Sequence, residues 1–468
     1  METDNKNKCY HFIAIGGVGQ SALAKILAIK GFNVSGSDIV ESKYTKALQE
    51  LGVKISIGQK KENIKENQIV VLSSAIKEDN PEFIEAKRLN LPLLHRSDVL
   101  KLISEQYETF IGFSGTHGKT TTTSLCSYIL EKINAHPAYA SGGIISGLDT
   151  NANAYPDSKI FVAELDESDG TIVKYKPDYI VINNLEPDHF DFYKNGEKDL
   201  LNQFHKFFEN LKPTSKIFIN IDDEGNKHFL NSINSKNLIT YSIKDNSADY
   251  FASDIELNPT YNSYKLYYKG ELKGEIKTGL LGVHNVINSL SVIAVLMELG
   301  FNLDEIKKPL SEFQGAKRRF ETVFSNSDIK IIDDYAHHPT EIKATLSSAK
   351  KQAENKRIVA IFQPHRYTRL KALWDEFLNS FDLADILFVV ETFSAGDKFD
   401  PEFNSEKFSE TIKHKCVKYI KGSMNEAAEE ISKYIKKDDF ILTIGAGDVT
   451  KIGHLLGGIY ETGKWNWT

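Results

Sequence analysis

The chain has 468 residues, a mass of 52.7 kDa and a formal charge of −7. At about 150 residues per domain this length predicts about three domains and excludes a single small module. With 41% hydrophobic and 26% charged residues the composition is that of an ordinary globular protein, and the mild acidity argues against a nucleic-acid polymer as partner.

Cys9, Cys126 and Cys416 are far apart and form no C-x-x-C pair, which gives no support to a zinc knuckle or redox dithiol and fits a reducing cytosol. Met1 to Lys8 is polar and lacks the apolar centre of a signal peptide. The longest apolar runs, such as Val292 to Met297, are far short of a membrane span. A cytoplasmic protein without a membrane partner is therefore expected.

In chain order, short runs rich in Ile, Val and Phe alternate with helix-like stretches: Phe12–Ile15, Ile69–Leu72, Thr109–Gly112, Ile160–Ala163, Tyr179–Ile182, Ile217–Ile219, Ile329–Ile332, Ile358–Phe362, Ile386–Val390 and Phe440–Ile444. Continuous apolar runs suit strands buried on both faces, and their alternation with helices predicts an α/β protein with parallel sheets. Tyr250 to Lys277 alternates polar and apolar residues and predicts antiparallel or edge strands. Apolar spacing at Ile287, Leu290, Ile293, Ala294 and Met297 predicts a helix ending at Gly300. Restarts of the pattern divide the chain into 1–104, 105–315 and 316–468.

The first strand leads into Gly16, Gly17, Val18, Gly19, Gln20, Ser21 and Ala22, which reads G-x-G-x-x-A from Gly17. Ser37 and Asp38 end a second short strand. This is the dinucleotide fingerprint, in which a late acid holds a ribose. NAD in a dehydrogenase and the diphosphate of another nucleotide both fit the loop, and a tight turn without ligand is a third reading. A separate ATP loop lowers the dehydrogenase reading.

That loop runs from Gly112 to Thr123, G-F-S-G-T-H-G-K-T-T-T-T, between a strand and a helix-like stretch. Gly115 and Gly118 let N–H groups turn inward around an anion, Lys119 adds a point charge, and the Thr120 hydroxyl suits Mg²⁺. Phe113 stands where the usual phosphate-loop pattern has its first glycine. Glu164, Asp166, Glu167 and Asp169 follow the strand Ile160–Ala163. Asn183, Asn184, Glu186, Asp188 and His189 follow Tyr179–Ile182. At the same sheet edge as the phosphate loop, these carboxylates call for a cation. Helix capping by Asp166 and Ser168 is the simpler role for some of them.

Arg366 and Arg369 share a face if their segment is helical, and either a carboxylate clamp or a solvated surface fits them. Gly445-Ala446-Gly447-Asp448 reads as a tight strand–helix turn with Asp448 as cap, and Cys126 as core packing. The Trp465–Thr468 end carries no functional signal.

Eight segments in order resemble the Mur ligase family, the ATP-dependent ligases of peptidoglycan precursor synthesis. They are HFIAIGGVGQSALA with VSGSD, SGTHGKTTTT, ELDESDG with NNLEPDHFD, LGVHNVINS, GAKRRFE, DDYAHHPTEI, FQPHRYTR and TIGAGD. The resemblance implies a Rossmann-like N-terminal domain, a P-loop ATP-binding central domain and a Rossmann-like C-terminal domain. It implies that L-alanine is joined to the lactyl carboxylate of UDP-N-acetylmuramate through an acyl phosphate, with ATP and Mg²⁺, giving ADP and phosphate.

By the same resemblance Gly16, Gly17 and Gly19, with Ser37 and Asp38, hold the UDP-sugar. ATP falls to Gly115, Thr116, His117, Gly118, Lys119, Thr120, Thr121, His284, Asn285 and Arg319. Thr120, Glu164 and His189 are implied as metal ligands, and Tyr335, His337, Arg366 and Arg369 as the amino-acid site. Lys119, His189, His337, Arg366 and Arg369 are implied as catalytic, and His337 or His338 is a candidate to take the amine proton. Gln20, Ala22 and Ala336 depart from the more usual Met, Gly and Gly of the family. A ligase for a preformed tripeptide, an NAD-dependent oxidoreductase and a nucleotide sensor are the alternatives. A monomer or weak dimer is expected.

Overall fold

The computed structural model describes residues 8–188, 192–231, 233 and 237–461, and its strands gather into three sheets. In the first, Cys9–Ile13 is central. Asn33–Asp38 and then Lys54–Ile57 lie on one side, Gln68–Leu72 and then Leu93–His95 on the other, all parallel. Strand order reverses at Cys9–Ile13, which opens a crevice at its C-terminal end. The glycine loop starts there and leads into the helix Val18–Ile29, whose N-cap Gly17 offers no side-chain cap.

Among the described residues the second sheet has ten strands. Thr109–Ser114 lies between Tyr179–Ile182 and Ile160–Glu164, all parallel, so the phosphate loop and both acidic segments leave one sheet edge. The alternating segment forms an antiparallel meander, Tyr250–Leu257, Asn262–Tyr268 and Glu271–Thr278, at one side of this sheet. The helix predicted to end at Gly300 spans Val283–Glu298, and its Leu290 and Ile293 share a core with Leu125 and Ile129 of the phosphate-loop helix.

The third sheet runs Glu321–Ser325, Lys330–Asp334, Phe440–Ile444, Ile358–Phe362, Ile386–Val390, Val417–Ile420, parallel except for its first strand. Its apolar runs are continuous because alternate residues feed two cores. Ile358, Ala360 and Phe362 enter one, Val359 and Ile361 the other. Among the described residues no helix is long and apolar enough to cross a membrane.

The units interlock through polar contacts. Lys25 Nζ donates to Thr150 Oγ1 (2.6 Å), and Arg96 pairs with Asp166 (2.8 Å). Lys317 N–H donates to Ile144 O (2.8 Å), laying the link to the third unit along the strand Ala138–Ile145.

One buried carboxylate braces the first unit. Glu82 is fully buried, the Ser37 hydroxyl and the Asn63 amide donate to it, and His11 Nε2 lies 3.7 Å away. Burial alone would raise its carboxyl, but the nearby His11 ring and the hydrogen bonds from Ser37 and Asn63 hold it below the usual range. Replacing Glu82 with Ala leaves these donors unmatched and is expected to cost about 3 kcal/mol. Hydrogen exchange of the first sheet's amides checks this; unchanged protection would contradict it.

Candidate functional site

The helix Lys119–Lys132 starts at Gly118, whose φ is 84° and whose missing Cβ would lie 2.8 Å from Asn288 Oδ1. Among the described residues no side chain caps this helix, so its first N–H groups are left for an anion. Asn184 shapes the turn, accepting from Thr116 N–H (3.1 Å, carbonyl) and His117 N–H (2.7 Å, side chain). The Thr116 hydroxyl donates to Glu186 O and accepts its N–H, so that side chain braces the loop.

Lys119 Nζ donates to Gly115 O (2.6 Å), Thr116 O (3.1 Å) and Glu167 Oε1 (3.0 Å). Burial would lower its pKa, but the carboxylates of Glu167, Asp166 and Glu164 more than offset it and keep the ammonium charged. Thr120 Oγ1 donates to Glu164 Oε2 (2.9 Å), which also accepts Gly142 N–H (3.0 Å). A Cβ on Gly142 would lie 2.4 Å from that oxygen and 2.8 Å from Thr120 Oγ1, so only glycine leaves this cradle open. Two oxygens beside a phosphate loop fit Mg²⁺, which prefers oxygen ligands. Arg319 reaches across from the third unit, its Nη2 donating to Thr120 Oγ1 (3.4 Å).

Two clefts meet here. One, with about 1000 Å³ of open space, is lined by His117, Gly118, Thr121, His284, Asn285 and Arg319. Burial pushes His284 down to about 4, so it is a neutral ring. Asn285 is fixed by donating to Leu281 O (2.8 Å) and accepting from Asn288 (2.9 Å). The other cleft, about 1400 Å³, touches all three units through Gly19, Arg96, Thr120, Glu164, Arg318 and Tyr335. Arg319 lines both.

In this structure the fingerprint acid closes its own loop. Gly16 N–H donates to Asp38 Oδ2 (2.8 Å) and Val40 N–H to Asp38 Oδ1 (3.3 Å), so both oxygens close their own loop. Ser37 is fully buried with its hydroxyl on Glu82. Neither residue lines the cleft, and Gly17 N–H turns back to Ala14 O (3.1 Å). Of the residues expected to hold the UDP-sugar, Gly19 is the one on the cleft wall. Sequence reasoning missed Arg96, whose Nη1 would lie 3.3 Å from a Cβ on Gly19. Its signal was a lone arginine opening a helix after a strand.

The expected amino-acid residues cluster less tightly. Tyr335 lines the three-unit cleft with the Arg319 guanidinium 5.0 Å from its ring centre. His337 Nδ1 lies 2.9 Å from Tyr335 O, and burial pushes the ring down to about 3, so it stays neutral. Arg366 precedes the short helix Tyr367–Ala372 with φ 70° and pairs with Asp397 (3.1 Å). Arg369 is buried with its guanidinium forked onto Asp188 (3.1 and 3.3 Å). Arg366 therefore stands just before the helix that carries Arg369, with Arg366 on Asp397 and Arg369 on Asp188. His189 lies outside the described residues, as does the Trp465–Thr468 end.

The second glycine loop is filled from within. A Cβ on Gly447 would lie 2.3 Å from Gln363 Oε1, and Asp448 accepts from Gln363 Nε2 (2.9 Å), so this is a turn. Its Gly445 and Gly447 carbonyls accept from Arg318 (2.8 and 3.0 Å). Cys126 is buried in the core, as expected.

Family models match along the chain. The Mur ligase family, catalytic domain, covers residues 9–108, the Mur ligase middle domain 113–296, and the Mur ligase, glutamate ligase domain, 318–447. The chain belongs to the Mur ligase family. It is 41% identical over 448 residues to the UDP-N-acetylmuramate–L-alanine ligase of Sulfurihydrogenibium sp. (strain YO3AOP1), covering 95% of this chain and 96% of that protein. The enzyme of the same name from Dictyoglomus turgidum is 40% identical over 453 residues, 96% of each chain. The solved UDP-N-acetylmuramate-alanine ligase of Thermotoga maritima superposes with a TM-score of 0.83 at 28% identity, over 97% of this chain and 99% of that one.

A charged bridge joins the second and third units. His117 lies between Glu186 (Nε2, 3.4 Å) and Glu341 (Nδ1, 3.1 Å), with the His338 ring 4.7 Å away. Burial would lower His117, but hydrogen bonds and charge from Glu186 and Glu341 raise it from 6.5 to about 10. A raised histidine stabilises fully below its unfolded pKa and loses that effect as pH climbs through the folded one. The melting temperature is therefore expected to fall between pH 6.5 and about 10, with a shallower slope in His117→Gln. Identical slopes in thermal scans would contradict this.

Proposed function

We propose that the protein joins L-alanine to the lactyl carboxylate of UDP-N-acetylmuramate at the expense of ATP, in the cytoplasm, as a monomer or weak dimer. The observation that carries this reading is the meeting of two clefts at Arg319, beside the Thr120–Glu164 oxygen pair. The full-length similarity to UDP-N-acetylmuramate–L-alanine ligases supports the particular substrates. Membership of the Mur ligase family leaves the oxidoreductase alternative without support.

In this reading residues 1–104 bind the UDP-sugar, with the uncapped helix at Gly19 and the Arg96 guanidinium facing its diphosphate. Residues 105–315 bind ATP, with adenine at His284 and Asn285 and the phosphates at the uncapped Lys119 helix. Residues 316–468 bring Arg319 to the phosphates and Tyr335, His337, Arg366 and Arg369 to the amino acid.

A carboxylate resists attack by an amine, so it must first be activated. A lactyl carboxylate oxygen bonds to the γ-phosphorus as the bond to the ADP oxygen breaks, giving an acyl phosphate. The neutral amine of alanine then bonds to the acyl carbon, the C–O bond to phosphate breaks, and the amine's proton leaves. Phosphoryl transfer depends mainly on alignment and charge neutralisation. Lys119 and Arg319 neutralise the transferring phosphoryl group from two units. Thr120 and Glu164 would hold Mg²⁺, which supplies positive charge to the phosphate oxygens. His337, neutral with Nδ1 turned to Tyr335 O, leaves Nε2 as a hydrogen-bond acceptor that can orient the incoming amine.

Phosphate release in the presence of ATP, Mg²⁺ and UDP-N-acetylmuramate is expected to depend on L-alanine. Lys119→Ala is expected to lower kcat by about 10²–10³-fold. A clear preference for a preformed tripeptide over L-alanine would assign the chain to the recycling reaction instead.

A further inference from the structure

The His117 bridge has a geometry beyond its ion pairs. One Glu186 oxygen, Oε2, lies 3.4 Å from His117 Nε2 and 4.0 Å from His338 Nδ1. One donor atom from each of His117, Glu186 and His338 lies within 4.8 Å of the others. His117 and His338 are largely shielded, with side chains 13% and 6% exposed, and Glu186 opens onto the nucleotide cleft. His117 Nε2 is sealed from solvent and faces Glu186 Oε2, while Nδ1 on the other side of the ring faces Glu341 at 3.1 Å. An imidazole with one nitrogen on an outer carboxylate and the other turned to a cluster of donors is the arrangement of metal-ligating histidines.

We propose that His117, Glu186 and His338 form a binding site for a borderline divalent cation such as Zn²⁺ or Co²⁺, separate from the Thr120–Glu164 oxygen pair. Two imidazole nitrogens and one carboxylate oxygen suit such ions, whereas Mg²⁺ favours oxygen alone. With metal–ligand bonds of about 2.0–2.2 Å, tetrahedral donors stand about 3.4 Å apart. The His117–Glu186 edge already has that length, and the Glu186–His338 edge, at 4.0 Å, closes by a small side-chain rotation. The ion takes the place of the proton on His117 Nε2. It also displaces the Thr340 hydroxyl from Glu186 Oε2 (2.7 Å) and the long bond from Thr340 N–H to His338 Nδ1 (3.3 Å). His117 and Glu186 belong to the second unit and His338 to the third, so the ion ties the two together at the edge of the nucleotide cleft.

The test is a titration of the nucleotide-free full chain with Co²⁺, followed by visible absorption. The expected result is one equivalent bound with a strong tetrahedral band, displaced by Zn²⁺ and unaffected by excess Mg²⁺. His338→Gln and Glu186→Gln should each weaken binding at least about ten-fold, and Thr120→Val should leave it intact. The absence of a band would overturn the proposal. So would a band that survives both variants, or one lost with Thr120→Val.

Discussion

A buried ammonium must be matched by negative charge, and the phosphate loop is organised around that requirement. Lys119 lies on Glu167, which is 1% exposed and whose carbonyl accepts the Tyr193 hydroxyl. Two loop carbonyls complete its shell. Glu167 follows Ile160–Glu164, which pairs directly with Thr109–Ser114, so parallel register in the second sheet brings the balancing charge to the lysine. The glycines at 115 and 118 then let the loop fold over Asn183 and Asn184 without a Cβ in the way.

The other two units are fitted to this cradle. The first presents an uncapped helix start at Gly19 and the Arg96 guanidinium, itself anchored to Asp166 of the second. The third inserts Arg319 at Thr120 and Glu341 at His117, and its Arg369 holds Asp188. Arg318 is gripped by the carbonyls of the 445–447 turn and by Asp333, and the Arg318 and Arg319 guanidinium carbons lie 4.9 and 5.0 Å from the Tyr335 ring centre. Charge from three separate sheets thus converges at the junction of two clefts. The contacts that shape this junction come from the assembled chain and from none of its units alone.

Much of this was legible in the sequence because it is local. Strand, glycine loop and helix follow one another in the chain at 12–29 and 109–132, and the acids at strand ends could be placed on one edge from the α/β pattern. The strand Ala138–Ile145 escaped because Ser141, Gly142 and Gly143 interrupt the apolar run; the same small residues make room for Glu164 and Thr120. Short strands such as Lys54–Ile57 and Val417–Ile420 at sheet edges carried too little apolar signal. Cross-unit pairs were invisible, since nothing in the chain links His117 to Glu341 or Arg369 to Asp188. Asp38 and Ser37 match their motif, yet the fold turns one to the Gly16 loop and the other to Glu82.

The central claim is that the carboxylate bound in the three-unit cleft is phosphorylated directly at the cradle before the amine attacks. Both lactyl carboxylate oxygens of UDP-N-acetylmuramate can be labelled with ¹⁸O and the released phosphate examined by mass spectrometry during turnover with ATP and L-alanine. The account predicts that each amide formed delivers one labelled oxygen to inorganic phosphate. Phosphate released without label, alongside amide product, would contradict it.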